Sequence, residues 1–172
     1  GIDVSHVLVA KGCNTGAYMA LSHSDGSPLA SLYDMTVVSR LTSRYIYDRR
    51  GLFQDADFVV VDANLPPAPL ETIFKLAEHY GVPVGADPTS VALAPRLAPH
   101  LARLHMVTPD REEAVVLAEM PVHTGMDAFE AAKRLVGRGV RIAIVTMAEE
   151  GVCYATPEGT GRIPAIQTEI LD

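Results

Sequence analysis

An alternation of short apolar runs with helical segments, between Asp57 and Thr146, is the feature of this sequence that most restricts its fold. A strand, a helix and another strand in succession form a parallel pair joined by a right-handed crossover. The strand-like runs are residues 57–62, 82–86, 105–107 and 141–146. The first of them is compact and apolar, which is typical of a buried parallel strand. The sequence therefore predicts an α/β fold, a mostly parallel sheet with helices on both faces.

Apolar periodicity and end signals predict the helices. The predicted helices cover Leu41 to Phe53, Pro69 to Tyr80, Leu93 to Leu104, Glu112 to Glu119 and a segment that begins at Asp127. In the first of these, Leu41, Tyr45 and Leu52 are expected to be buried. In the last, Asp127 is the predicted N-cap, and Glu130 completes a D-x-x-E capping box.

The start of the chain has a different character, with strand signals and no helix. A first strand is predicted over Val4 to Ala10. Two further apolar runs flank His23-Ser24-Asp25-Gly26, and Asp-Gly between apolar runs is a hairpin signal. Because this character changes after Asp34, we predict a β lid over residues 1–35 and an α/β core over residues 36–172.

Polar residues follow the predicted parallel strands at the points where they end. They are Asn64, Asp87, Asp110 and Thr146. Each residue alone suits a turn or a helix cap equally well. Four in succession favour a ligand site, because the carboxyl ends of parallel strands form the usual crevice of an open α/β sheet.

The segment from Thr108 to Glu113 allows two interpretations that do not exclude each other. In one, Asp110 is an N-cap and Glu113 closes a capping box with it. In the other, both carboxylates face a ligand at a helix N-terminus, where backbone N–H groups favour anions. Carboxylates beside phosphates make sense only with a cation such as Mg²⁺ between them.

Composition and charge restrict the partners. The formal net charge of −7, without a basic stripe, argues against nucleic acid. No run of about 18 apolar residues occurs, so no membrane span is predicted. Cys13 and Cys153 lie far apart, and neither they nor the six histidines show metal-ligand spacing. These features favour a reducing, cytoplasmic location.

Two motifs resemble those of the ribokinase-like, PfkB-type carbohydrate kinases. Thr108 to Glu113 resembles the T-P-N-x-x-E stretch that helps to place Mg²⁺ and phosphates in that family, with Asp110 in place of Asn. Val145 to Gly151 resembles the V-T-L-G-x-x-G turn beside the adenine nucleotide, with Ala148 in place of the first Gly. The resemblance implies a ribokinase-like, Rossmann-like fold.

Within the family, the chain most resembles the pseudouridine kinases. The segments that carry this resemblance are residues 1–5, 15–18, 33–35, 61–65 and 87–90. The resemblance implies transfer of the γ-phosphate of ATP to a sugar 5′-hydroxyl, with pseudouridine as the first candidate acceptor. It implies ATP and Mg²⁺ as cofactors, with a monovalent cation as a further candidate.

The resemblance also assigns roles to individual residues. Substrate binding is expected of Thr15, Tyr18 and Asn64. Nucleotide binding is expected of Asp87, Asp110, Thr146 and Gly151. Asp110 and Glu113 are expected to hold Mg²⁺ through water.

Family members begin before the equivalent of Gly1 and continue with D-T-x-G-A-G-D, of which Asp172 resembles the first residue. The catalytic base, the last Asp of that motif, is therefore expected just beyond Asp172. A chain that ends at Asp172 is predicted to be inactive alone, because general-base help contributes roughly 10²–10⁴-fold.

Two other functions fit the sequence. One is a kinase of the same family for ribose, a fructose phosphate or adenosine. The other is a non-catalytic binding or assembly domain of the same fold. A homodimer through the lid strands is compatible with every alternative, since an exposed hairpin offers edges that can pair with a second copy.

Overall fold

The first part of the chain forms a two-stranded antiparallel sheet. The structure is a computed structural model that describes residues 1–23 and 28–166. Strands β1 (Ala17–Ser22) and β2 (Pro28–Asp34) pair from Ala17 opposite Asp34 to Ser22 opposite Pro28. This pairing confirms the predicted hairpin, although Ser24 to Gly26 of its predicted turn lie outside the described residues. The predicted homodimer through these strands stays a prediction, as does the division at residue 35.

The strand predicted for Val4 to Ala10 is wrong. This stretch is irregular, and Val4 and Val9 are 67% and 85% exposed. Three consecutive apolar residues do not alternate between two faces, so they specify no strand without a neighbour to pair with. The segment is tied to the core instead by Tyr45, whose hydroxyl donates to the carbonyl oxygen of His6 at 2.9 Å.

Two short helices replace the single helix predicted over Leu41 to Phe53. A 3₁₀ turn at Thr36–Arg40 precedes α1 (Ser43–Tyr47) and α2 (Gly51–Gln54). The buried side chains are Ile46 and Phe53, whereas Leu41 and Tyr45 are half-buried and Leu52 is 44% exposed. The break between the helices shifts their phase, and a periodicity drawn across it therefore selected the wrong positions.

The core sheet begins with β3 (Val59–Asp62), α3 (Pro67–Tyr80) and β4 (Val84–Asp87). Helix α3 buries an apolar face, with Leu70 and Phe74 no more than 1% exposed. Proline occupies the first helical turn, where an N–H group has no intrahelical partner. Gly81 ends the helix in the left-handed conformation, with φ of 72°.

The connection after β4 contains two 3₁₀ segments, Ala94–Arg96 and Ala98–Arg103, in place of the helix predicted over Leu93 to Leu104. Pro95 and Pro99 lack N–H donors, so the i to i−4 bonds of a continuous α-helix cannot form there. Leu97 and Leu101 nevertheless bury their side chains against the core. The chain then enters β5 (Met106–Val107).

Two capped helices connect β5 to the last strands. Helix α4 (Arg111–Ala118) is followed by α5 (Gly125–Gly137). The prediction of Asp127 as N-cap with a box to Glu130 is wrong. Thr124 is the N-cap and accepts from the Asp127 N–H, while the Asp127 carboxylate accepts from the Thr124 N–H. Both residue types suit an N-cap, and the helix starts at the earlier one.

Strands β6 (Ile142–Thr146), β7 (Val152–Thr156) and β8 (Gly159–Ile163) complete a six-stranded sheet in chain order. Strands β3 to β6 are parallel, and β6 to β8 are antiparallel. The predicted mostly parallel sheet with helices is thereby confirmed. Val61, Ala86, Val107 and Ala143 are buried under the helices. Within the described residues, no helix is long and apolar enough to cross a membrane.

We predict that the stability of the fold falls as the pH drops below about 6.5, the ordinary pKa of histidine. Burial lowers the pKa of His100, and the charge of Arg103 lowers it further against the opposing charges of Glu71 and Glu78. The ring stacks on Phe74 at 4.3 Å. Because the unfolded state then binds more protons, the free energy of unfolding decreases from that pH down to the folded pKa.

Urea denaturation at pH 7.5 and 5.5 measures this effect. The loss of stability between the two pH values should be smaller in His100→Gln than in the wild-type chain. The exposed His79 of α3 provides the control, because His79→Gln should leave the wild-type difference unchanged. An equal loss in all three proteins would contradict the prediction.

Candidate functional site

The polar residues at the carboxyl ends of β4, β5 and β6 meet at one edge of the sheet. The parallel pairing of β5 with β6 extends to a bridge between Asp110 and Thr146, and the Thr146 N–H donates to the carbonyl oxygen of Pro109 at 2.9 Å. The Thr108 hydroxyl donates to Asp87 at 3.1 Å. Three of the predicted nucleotide-binding residues are therefore brought together by strand pairing.

The N-terminus of α4 contains the predicted capping box. One Asp110 carboxylate oxygen accepts from the Glu113 N–H at 2.8 Å, and one Glu113 carboxylate oxygen accepts from the Asp110 N–H at 2.9 Å. This interpretation of the segment is confirmed. Each carboxylate commits one oxygen atom to the cap, so the cap leaves the second oxygen of each for another partner.

The charges of two neighbouring carboxylates, Asp110 and Asp87, act on Glu113 at this helix start. Burial raises the pKa of Glu113, and the negative charges of Asp110 and Asp87 raise it further, against the hydrogen bond from the Asp110 N–H. Glu113 is only 5% exposed. The local field is thus negative, and it opposes the binding of a bare phosphate group unless a cation is present.

The donor set fits a hydrated magnesium ion better than a closed metal site. In the part of the chain that the structure describes, no three His, Cys, Asp or Glu side chains converge on a metal position. Mg²⁺ keeps several water ligands and is usually bound by one or two carboxylates together with substrate phosphates. Asp110 and Glu113 can supply such contacts. Their role as magnesium ligands stays a prediction.

A cavity of about 680 Å³ opens beside this helix start. Asp110, Thr146 and Gly151 line it, as the sequence motifs suggested. Its apolar wall was not predicted, because apart from Met147 it comes from segments without a motif. This wall contains Met147, Val152, Ile163, Pro164 and Ala165. A polar end with an apolar wall suits a ligand that has an anionic group and a flat ring.

The turn between β6 and β7 brings two backbone segments into close contact. Gly151 has φ of 89°, and a Cβ atom there would lie 2.6 Å from the Ala165 nitrogen and would overlap the Ile163 carbonyl oxygen. Only glycine fits this position. Ala148, three residues earlier, has φ of 47°, a left-handed conformation that costs an alanine roughly 1–2 kcal/mol.

An ion pair at the rim of the large cavity was also missed by sequence reasoning. Arg111 and Glu150 lie 2.9 Å apart, and Arg162 donates to the Glu150 carbonyl oxygen at 2.7 Å. The partners are 39 residues apart in one case and 12 in the other, so no local spacing reveals them. Together they connect α4, the β6–β7 turn and β8 around the cavity.

Two smaller cavities lie between the hairpin and the β3–α3 loop, with volumes of about 170 and 390 Å³. Tyr18 and Asn64, predicted for substrate binding, both line the smaller one. Thr15 is exposed and is not among the residues that line either cavity. Both cavities share four wall residues, Tyr33, Met35, Asn64 and Leu93. The two cavities are therefore neighbours on either side of a common wall.

Arg96 contacts the loop that contains Asn64 of this wall, and no sequence signal identified it. Its guanidinium donates to the carbonyl oxygens of Ala63, Asn64 and Leu65 at 2.9, 3.1 and 3.3 Å. It comes from the 3₁₀ connection some 30 residues later, and it lines the larger of the two cavities.

The sequence of residues 1–172 matches the pfkB family carbohydrate kinases, and the chain belongs to this family. It is 27% identical to the pseudouridine kinase of Escherichia coli (strain K12) over 100% of this chain and 55% of that protein. It is 20% identical to the ribokinase of Staphylococcus aureus (strain COL) over 99% of this chain and 55% of that protein. These matches confirm the predicted family and the resemblance to pseudouridine kinases.

The fold comparison agrees with the sequence comparison. The structure of ribokinase from Giardia lamblia superposes with a TM-score of 0.76 at 11% identity, over 94% of this chain and 51% of that one. The ribokinase-like fold is thereby confirmed. The chain spans about half the length of the curated relatives it matches.

We predict that Gly151→Ala destabilises the fold by about 2–4 kcal/mol, because its Cβ atom would force apart the two backbone segments. Gly159→Ala in the same antiparallel unit is the matched control, since nothing lies within 4 Å of a Cβ atom there. Urea denaturation of both variants measures the difference. Equal stability of the two would show that the backbone moves without a penalty at Gly151.

Proposed function

We propose that the whole protein is an ATP-dependent kinase that transfers the γ-phosphate of ATP to the 5′-hydroxyl of pseudouridine. The bridge between Asp110 and Thr146 carries this proposal. It joins the Thr108–Glu113 motif to the Val145–Gly151 turn around one cavity of about 680 Å³. Family membership supports phosphoryl transfer to a carbohydrate or nucleoside, and the 27% identity to a pseudouridine kinase supports this acceptor.

The geometry supports a division of labour within the large cavity. Phosphoryl transfer depends mainly on positioning and on electrostatic stabilisation. The apolar wall of Met147, Val152 and Ile163 would hold the adenine ring of ATP, and the N-terminus of α4 would face its phosphates. Bound Mg²⁺ supplies charge neutralisation of the phosphates. Asp110 and Glu113 would orient it through water, and the capping box fixes both side chains.

The two smaller cavities support an acceptor with two parts. A nucleoside consists of a base and a ribose, and the cavities of about 170 and 390 Å³ share one wall. Tyr18 and Tyr33 offer aromatic faces, and Asn64 offers an amide that both donates and accepts hydrogen bonds. A free sugar such as ribose is the rival acceptor within this family, and it would occupy only one of the two cavities.

We predict that Asp110→Asn reduces the dependence of ATP binding on magnesium. Asparagine keeps the N-cap but removes the negative charge of Asp110 from the start of α4, where the phosphates are proposed to bind. The ratio of the Kd for ATP without and with Mg²⁺ should fall by about fivefold, equivalent to about 1 kcal/mol of relieved repulsion. Isothermal titration calorimetry measures both constants.

Glu130→Gln is the control for net charge in this comparison. Glu130 is exposed on α5 and pairs with Lys133, and it is not among the residues that line the large cavity. Its replacement should leave the magnesium ratio unchanged. If Asp110→Asn also leaves the ratio unchanged, the phosphates do not bind at the start of α4.

ADP formation by the whole protein with a panel of acceptors tests the proposed function. The panel contains pseudouridine, uridine, adenosine, ribose and fructose 6-phosphate. Pseudouridine should give the highest kcat/KM. Uridine is the sharpest comparator, because it differs only in the atom that joins the base to the ribose. A higher value for ribose would reassign the acceptor, and ATP binding without turnover of any acceptor would favour a binding or assembly domain.

A further inference from the structure

We propose that Arg96 is a positioning residue for the acceptor site, where it holds the loop that carries Asn64 in its binding conformation. The inference rests on the proposed function for the identity of the acceptor. The positioning role itself rests on hydrogen bonds within the chain. Arg96 belongs to neither of the sequence motifs that carry the family resemblance.

The guanidinium of Arg96 contacts three consecutive backbone carbonyls. One nitrogen, Nη1, lies 2.9 Å from the oxygen of Ala63, 3.1 Å from that of Asn64 and 3.3 Å from that of Leu65. Carbonyls of successive residues in an extended segment point in different directions, and here all three point towards one cation. The loop therefore has a curved shape that depends on this donor.

The N–H groups of the loop donate to acceptors at the ends of β3 and β4. The Asn64 N–H donates to the Asp62 carboxylate at 2.9 Å, and the Ala63 N–H donates to the Asp87 carbonyl oxygen at 3.0 Å. The loop is thus fixed from two sides. Arg96 supplies the only side-chain donors to its carbonyls among the hydrogen bonds of residues 1–23 and 28–166.

The backbone around Arg96 is anchored in the core. Ala94 and Leu97, on either side of it, are both 0% exposed and belong to the core. The Arg96 N–H donates to the Leu93 carbonyl oxygen at 2.9 Å within the 3₁₀ turn. Through its guanidinium, the β4–β5 connection therefore holds the loop that follows β3 in place.

Arg96 differs from the other arginine of this connection in its partners. Arg103 forms ion pairs with Glu71 and Glu78 at 2.7 and 2.6 Å. Arg96 forms no ion pair within the described residues. Its positive charge is therefore not neutralised by a carboxylate at the wall of the cavity that it lines with Asn64. Nε and Nη2 remain as further donors at that wall.

The consequence is confined to the acceptor side of the site. Asn64 lines both of the smaller cavities, so a shift of its loop changes the shape of both. Neither Arg96 nor Asn64 lines the cavity of about 680 Å³. Loss of the guanidinium should therefore weaken acceptor binding and leave ATP binding unchanged.

Three variants of the whole protein test the proposal: Arg96→Met, Arg96→Lys and the control Arg103→Met. The KM for pseudouridine should rise at least about tenfold in Arg96→Met, as expected for the loss of hydrogen bonds from a charged donor. The KM for ATP should stay within about twofold of wild type. Arg96→Lys should recover part of the loss, because an ammonium group can still donate to carbonyls.

The control separates positioning from stability. Arg103→Met removes two ion pairs from the same connection, so it lowers the melting temperature but should leave the KM for pseudouridine unchanged. Hydrogen–deuterium exchange adds a measurement that needs no acceptor. The amides of residues 63–66 should exchange faster in Arg96→Met and at the wild-type rate in Arg103→Met.

The outcomes distinguish this proposal from the proposed function. Unchanged exchange of the loop in Arg96→Met would overturn the positioning role. An equal rise of both KM values, or the same rise in Arg103→Met, would also overturn it, because it would indicate general destabilisation. If the wild-type protein uses no acceptor of the panel, the proposed function fails, and the positioning of the loop is decided by the exchange rates alone.

Discussion

The pairing of Asp110 with Thr146 is the interaction on which the candidate site depends. It is an isolated bridge that keeps the register of the parallel β5–β6 pairing three residues beyond Val107, at the N-cap of α4. Because the N-cap belongs both to the bridge and to the helix, the strand fixes the position of the helix start. The capping box with Glu113 then fixes the side chains. The cavity beside this junction has its polar end where sheet and helix meet.

The sequence predicted those parts of the structure that local chemistry determines. The helix α3 between a proline and Gly81, the capping box of α4 and the strand β6 all follow from a few adjacent residues. Competing local signals produced the errors. Thr124 and Asp127 both suit an N-cap, and the apolar residues of Val4 to Ala10 found no strand to pair with. Local patterns cannot rank such alternatives, because tertiary packing decides between them.

Contacts between distant segments account for what the sequence could not predict at the site. The apolar wall formed by Ile163 and Pro164 depends on where β8 ends. The contacts of Arg96 span more than 30 residues and end on backbone carbonyls, which every residue carries. A pattern of residue types therefore cannot predict these contacts. The positions of Asn64, Asp87, Asp110 and Thr146 could be predicted, because parallel strands place their carboxyl ends at the same edge of the sheet.

The β6–β7 turn contains two left-handed residues with different tolerance for change. At Ala148 a methyl group is present, so the departure from glycine in the family motif costs only backbone strain. At Gly151 the neighbouring chain occupies the place of the methyl group itself. The motif can therefore accept a larger residue at position 148 but not at position 151. The two glycine positions of this short motif therefore differ in what they require. Only the second must be glycine for two walls of the cavity to come into contact.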